Sequence, residues 1–153
     1  MSDQRVSTWV GARGRSLPFQ EFMIVERAEG PIESVELRGL HRAPPAEAVL
    51  QALATADAIV IGPSNPVISI GPILALPGMR EALRAAPAPV VAVSPFVGGR
   101  SLKGPTNAFC EFAHIEPSAA GVARAYSEVV DAVVDVVSRQ RAIRLAAPRI
   151  PIP

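Results

Sequence analysis

Cysteine is almost missing from this 153-residue chain: Cys110 stands alone, which excludes an internal disulfide and any metal site built on a cysteine cluster. An excess of one charge is missing too, because 15 basic and 14 acidic residues leave a formal charge of +1. A balance of that kind offers no electrostatic footprint for a phosphate backbone or an anionic membrane surface. Neither nucleic acid nor a membrane is therefore expected as a partner. No long apolar run is present either: the stretch from Val60 to Leu76 is interrupted by Asn65, Pro63, Pro66 and Pro72, short of the ~20 residues a membrane helix requires. The region after Met1 has no basic stretch leading into an apolar one, so a cytoplasmic protein is expected. Lysine is reduced to a single residue, Lys103.

What is there suits one compact α/β unit. Apolar residues make up 49% of the chain, and a chain of this length buries a core without a disulfide or metal staple. The 16 prolines stand mostly at segment edges and read as punctuation. Phe19 to Arg27 is apolar and β-prone, and Ile32 to Arg38 alternates Val35 and Leu37 with acidic residues; the turn-like Ala28-Glu29-Gly30-Pro31 between them suggests a hairpin. Pro44 and Pro45 open a predicted helix running to about Ala54. Ala58 to Ile61 and Val90 to Val93 are wholly apolar, as strands covered by helices on both faces are. Between them, Ile73 to Ala86 keeps helical spacing but must break at Pro77. A short helix is predicted from Pro105 through Phe112, another from Ala119 to about Asp131 capped by Ser118, and a strand at Val133 to Val137.

This order argues a three-layer α/β domain with a mainly parallel sheet and helices on both faces, part of a doubly wound arrangement. Residues 1–137 form the domain, and 138–153, rich in proline at its end, are expected to diverge and fray. Ligands of such sheets bind outside the carboxyl ends of the strands. Two loops fall there. Gly62-Pro63-Ser64-Asn65-Pro66 combines fixed φ angles with short hydrogen-bonding side chains, and Ser69 before Gly71-Pro72 suits a helix start. The second loop pairs Gly98-Gly99, whose successive N–H groups can form an anion nest, with Lys103 and Gly104 ahead of a new helix. It is not a Walker A loop, because its lysine precedes the glycine. On pattern alone each loop reads equally as an ordinary turn.

Other polar residues carry less. His41 and His114 lack a second ligand at helical spacing. Ser94-Pro95 ends a strand without the elbow motif of an acyl-transfer nucleophile, and Cys110 in a short apolar helix reads as core.

The run from Gly62 to Leu74 and that from Pro89 to Pro105 (PVVAVSPFVGGRSLKGP) together resemble the 2-phospho-L-lactate transferase (CofD-type) family. Phe19-Gln20-Glu21-Phe22 and the segment Ser118 to Ala123 with Tyr126 resemble further parts of it, so the likeness covers about Met1 to Asp131. The resemblance implies transfer of a phospho-lactyl or phosphoenolpyruvyl group from a GDP-activated donor to the terminal hydroxyl of a deazaflavin. GMP is released, magnesium takes part, and the product belongs to the biosynthesis of a deazaflavin redox coenzyme. It also implies small-molecule partners bound by Ser64, Asn65, Pro66, Ser69, Gly98, Gly99, Lys103 and Gly104, with no catalytic residue assigned and a homodimer left open.

The departures from that family are informative. Its members begin with a glycine-rich GGTGG-like strand, loop and helix, while Met1-Ser2-Asp3-Gln4 resembles an internal family segment, Met-Ser-Asp-Asp. The expectation is a carboxyl-side fragment, inactive alone, with magnesium ligands in the segment not seen here. The alternatives are a non-enzymatic relative that binds a nucleotide or nucleotide sugar, and a remnant that needs a separately encoded amino-terminal half.

Overall fold

The structure, a computed structural model, describes residues 1–101, 104–138 and 141–146. Among these, two sheets form. The first is antiparallel in the order β2-β1-β3, from β1 (Ser7–Ala12), β2 (Arg15–Pro18) and β3 (Ile32–Arg38). The second is mixed in the order β4-β5-β7-β8, from β4 (Ile59–Ile61), β5 (Val90–Val97), β7 (Ala132–Ser138) and β8 (Arg141–Ala146), with the two-residue β6 (Arg100–Ser101) beside β5. Pairing of β4 with β5 and of β5 with β7 is parallel. The predicted α/β class with helices on both sides of the sheet holds.

The expected hairpin of Phe19 to Arg27 with Ile32 to Arg38 does not form. Phe19–Ile24 is instead a helix, α1, entered from Pro18; Phe19, Phe22 and Met23 fall at helical spacing, and Phe22 is fully buried. A strand would have split these three between opposite faces. The partner of β3 is β1, which continues into β2 through Arg13 and Gly14, both at positive φ (53° and 69°). Such a two-residue turn matches the right-handed twist of its flanking strands.

The helices that flank the second sheet follow the sequence more closely. Helix α2 is Glu47–Thr55, with Pro44 and Pro45 before its first turn rather than in it. The predicted break at Pro77 separates α3 (Gly71–Leu74) from α4 (Met79–Ala85). Helix α5 is Thr106–Phe112 and α6 is Ala119–Tyr126, the latter shorter than predicted. Ser118 does cap α6, its Oγ accepting from Gly121 N at 3.0 Å. In the segment expected to fray, Arg141–Ala146 pairs antiparallel with β7; residues 139–140 and 147–153 lie outside the described residues. No described helix is long and apolar enough to cross a membrane.

Two apolar clusters carry the packing. The larger joins Leu74, Leu76, Met79 and Leu83 to Val90, Ala92 and Phe96 of β5 and to Val122, Val129, Val130 and Val133. The smaller gathers Val10, Ala12, Leu17 and Phe22 around Phe109 of α5, whose ring meets Phe22 edge-on at 6.2 Å and 86°. This T-shaped contact ties α1 to α5 and so links the antiparallel sheet to the parallel one. At the start of the sheet, Asp131 staples β5 to β7: its Oδ2 accepts from Val90 N at 2.8 Å, and its own N–H donates to Val90 O at 2.8 Å.

Candidate functional site

Strand β5 alternates cleanly, with Val90, Ala92, Ser94 and Phe96 buried and the residues between them partly open. The open face looks into a cavity of about 500 Å³ at the carboxyl end of the strand. That volume falls in the range of small-molecule sites. Pro95 explains how the strand bends around it. Parallel pairing with β7 runs from Val91 to Val93, slips, and resumes at Val97 opposite Val136. Proline donates no ladder hydrogen bond and is tolerated at such an irregularity. Ser94 secures the bend by accepting from Phe96 N at 3.1 Å and donating to Phe96 O at 3.3 Å. Its hydroxyl is thereby committed to structure.

The opposite wall is the Gly62–Pro66 loop. Asn65 Oδ1 accepts from Val67 N at 2.9 Å and from Ile68 N at 3.2 Å. It thereby caps a π-helical turn over Pro66–Ile70, in which Ser69 N and Ile70 N both donate to Asn65 O. Wide turns of this kind recur at functional sites. The capping residue is Asn65 and not Ser69, as the sequence reading had it; Ser69 lies within the turn, and α3 starts with no side-chain cap. Asn65 is 9% exposed, and its Nδ2 is buried without a hydrogen-bond partner.

The predicted site residues divide under this geometry. Ser64, Asn65, Ser69 and Gly104 line the cavity together. Pro66 sits behind it as the first residue of the π turn, where its missing N–H costs nothing. Gly98 and Gly99, at φ 56° and 75°, form the two-residue turn between β5 and β6, and Gly98 N–H is spent on Val136 O at 3.1 Å. Lys103 lies outside the described residues.

The sequence reading missed Phe19 and Met23 of α1, together with Val136 of β7, as parts of the wall. Phe19 and Met23 stand four residues apart, and that spacing was the available signal. Cys110 is buried, and burial pushes its thiol above the ordinary range, in keeping with a core residue. Tyr126 has its hydroxyl pushed up chiefly by burial, and the oxygen has no hydrogen-bond partner.

The described lining contains hydroxyls, one carboxamide and apolar walls, but no carboxylate. Among the described residues no three histidine, cysteine, aspartate or glutamate side chains come together either. The described lining residues therefore do not fit a magnesium ion, which prefers hard carboxylate oxygens.

Comparison with known proteins places this geometry in a family. The model of the family described as 2-phospho-L-lactate transferase CofD matches residues 1–147. A 2-phospho-L-lactate transferase of Methanosarcina mazei is 42% identical over 134 residues, 88% of this chain and 44% of the relative. A phosphoenolpyruvate transferase of Streptomyces coelicolor is 39% identical over 163 residues, 99% of this chain and 51% of the relative. The chain thus spans about half the length of the curated relatives it matches. Among solved structures, protein BH3568 of Bacillus halodurans superposes with a TM-score of 0.53 at 21% identity, over 86% of this chain and 40% of that one; this likeness concerns the fold. With the family pattern running through both loops that wall the cavity and through nearly all the rest, the chain belongs to the 2-phospho-L-lactate transferase (CofD) family.

Proposed function

We propose that this chain provides a substrate-binding part of a transferase that moves a phospho-lactyl or phosphoenolpyruvyl group from a GDP-activated donor to a deazaflavin alcohol. In that reaction the terminal hydroxyl oxygen of the acceptor bonds to the phosphorus on the acyl side of the donor. The bond from that phosphorus to the bridging oxygen breaks, GMP leaves with the bridging oxygen, and the hydroxyl proton passes to solvent. Chemistry of this type draws mainly on positioning and charge compensation. The observation that carries the reading is the cavity at the carboxyl end of β5, walled by two family-matching loops with Ser64, Asn65, Ser69 and Gly104 turned to one space.

The contribution of this chain is to hold and orient. The Asn65 cap fixes one wall and the Ser94-Pro95 bend the other, and both are set by hydrogen bonds already made before a ligand arrives. Preorganisation of this sort lowers the entropic cost of binding. The chemical step draws on groups beyond those described.

The test is reconstitution in a host that makes the deazaflavin precursor and lacks the transferase. This chain is expressed alone, or together with the portion of a curated relative that it does not match, and the coenzyme is measured by mass spectrometry. Product is expected only from the combination. Its absence there refutes the function, and strong product from the chain alone refutes the division of labour.

A further inference from the structure

The two sheets treat their outer strands differently. On the first sheet the outer strand β3 carries Glu33, Glu36 and Arg38, all exposed, and charge is a common way of keeping such an edge from pairing. On the second, β4 is Ile59-Val60-Ile61, with no charge, proline or bulge, yet Val60 is 67% exposed. Apolar strands without alternation belong to sheets covered on both faces. The ladder of β4 is also half used. Ile59 N–H donates to Pro89 O at 2.9 Å, on the β5 side. The alternation of backbone groups along a strand therefore points the N–H and C=O of Val60 away from β5, to a side where no described strand lies.

The surface beside that edge is equally uncovered. Helix α2 has Val49, Leu50 and Leu53 at helical spacing and no buried residue. Val49 and Leu53, with Ile59, Ile73, Met79 and Leu83, line an apolar hollow of about 340 Å³ along β4. A free ladder next to a hollow of this kind suits a strand with apolar side chains. A two-fold pairing of β4 with β4 of a second copy would run antiparallel over three residues only, which leaves self-pairing weak and the edge available. The relatives contain a larger candidate: the match takes up 88% of this chain but 44% of the Methanosarcina mazei transferase, so more than half of that relative lies outside it.

We propose that β4 is an acceptor edge: an apolar strand from a second polypeptide, the part of a family relative outside the match, adds beside Val60, and apolar side chains of that polypeptide fill the hollow beside α2. In strand addition of this type main-chain bonds, here to Val60 N–H and C=O, supply affinity, and the pockets that take the side chains supply specificity. Addition there reaches the cavity. Strand β4 runs directly into Gly62-Pro63-Ser64, so a strand parallel to it, as β5 is, ends at the same rim. The loop that follows the added strand then stands beside a cavity whose described lining has no carboxylate. The inference rests on the proposed function for the choice of partner, whereas the edge and the hollow are independent of turnover.

Val60→Pro removes the free-edge donor and leaves the pairing of Ile59 and Ile61 with β5, because proline is tolerated where an edge N–H faces solvent. Val60→Thr keeps both the donor and the β propensity. The full 153-residue chain, tagged, is co-expressed with the part of the Methanosarcina mazei transferase outside the match, and the purified species is weighed by light scattering. An equimolar complex is expected, with the Val60 amide protected from hydrogen exchange relative to the free chain. Affinity should fall roughly tenfold or more in Val60→Pro, with the melting temperature of the free chain retained, and should persist in Val60→Thr. Val60→Lys, which charges the hollow without touching the backbone, should weaken binding likewise and serves if the proline variant fails to fold. No complex, a complex equally strong in Val60→Pro and Val60→Lys, or an edge still held by a second copy when the partner is in excess overturns the inference. A Val60-dependent complex that makes no coenzyme in the reconstituted host refutes the proposed transfer and leaves the interface standing. Product formed equally well by Val60→Pro and Val60→Lys does the reverse.

Discussion

Tyr126 and Asn65 each bury a polar atom without a partner, yet their surroundings give the two orphans different meanings. Asn65 borders a cavity, whereas Tyr126 is 4% exposed and packs within the larger apolar cluster. Removing the Tyr126 hydroxyl therefore relieves a desolvation cost instead of breaking a bond. Tyr126→Phe is expected to leave the melting temperature unchanged or raise it; a fall of several degrees would show that the hydroxyl has a partner. Glu116 provides a pH-sensitive counterpart on the surface. Hydrogen bonds from Ser118 and Arg124, and the charge of Arg124, hold its carboxyl below the ordinary carboxylate value. A carboxyl depressed in the folded state supports the fold above its unfolded value and loses that support as pH falls through its folded one. The start of α6 should accordingly weaken in acid below the usual carboxylate range. Glu116→Gln should lack that part of the acid dependence in thermal melts, with a small amplitude because the group is exposed to solvent.

Among the elements, α6 depends on a close approach at its first turn. A Cβ added at Gly121 would collide with the carbonyl oxygen and carbon of Glu116, so the helix could not keep its seat under Val122 and Tyr126. Gly121→Ala should cost about 1–3 kcal/mol, the range of overpacked sites, as measured by denaturant unfolding; an unchanged midpoint would refute the contact. Elements whose residues state their own geometry were legible in the sequence. Ser118 announced its cap, Pro77 its break, and Val90 to Val93 its parallel strand. Helix α1 was not, because FQEFMIVER is β-prone residue by residue and becomes helical only through the burial of Phe22 against Phe109. The turn at Arg13-Gly14 carries only one residue suited to positive φ, so its hairpin gave half the usual signal. In the site, the two loops were legible as family segments. The contribution of α1 was not, since it required a contact between residues some ninety positions apart in sequence.

At the scale of the molecule, the parallel sheet ends among the described residues at β4, whose one described strand partner is β5. Val60 in that strand is 67% exposed, beside an apolar hollow lined by Val49, Leu53, Ile59, Ile73 and Leu83. An open strand edge next to apolar surface is a template for association. Sedimentation velocity over a concentration series should show self-association, reduced by Val60→Lys; a monomer at every concentration would mean that the edge is blunted by other means.

The cavity wall is assembled from positions as distant as Phe19 and Val136, with Phe19, Met23 and Ile68 drawn from the smaller apolar cluster, so no single segment holds the site. A ligand there recognises only the assembled fold and, by mass action, protects it: about 2.7 kcal/mol at a hundredfold excess over its dissociation constant. The melting curve of this chain is then itself a binding assay. A rise in melting temperature with a ligand of the cavity would report site occupancy without any measurement of turnover.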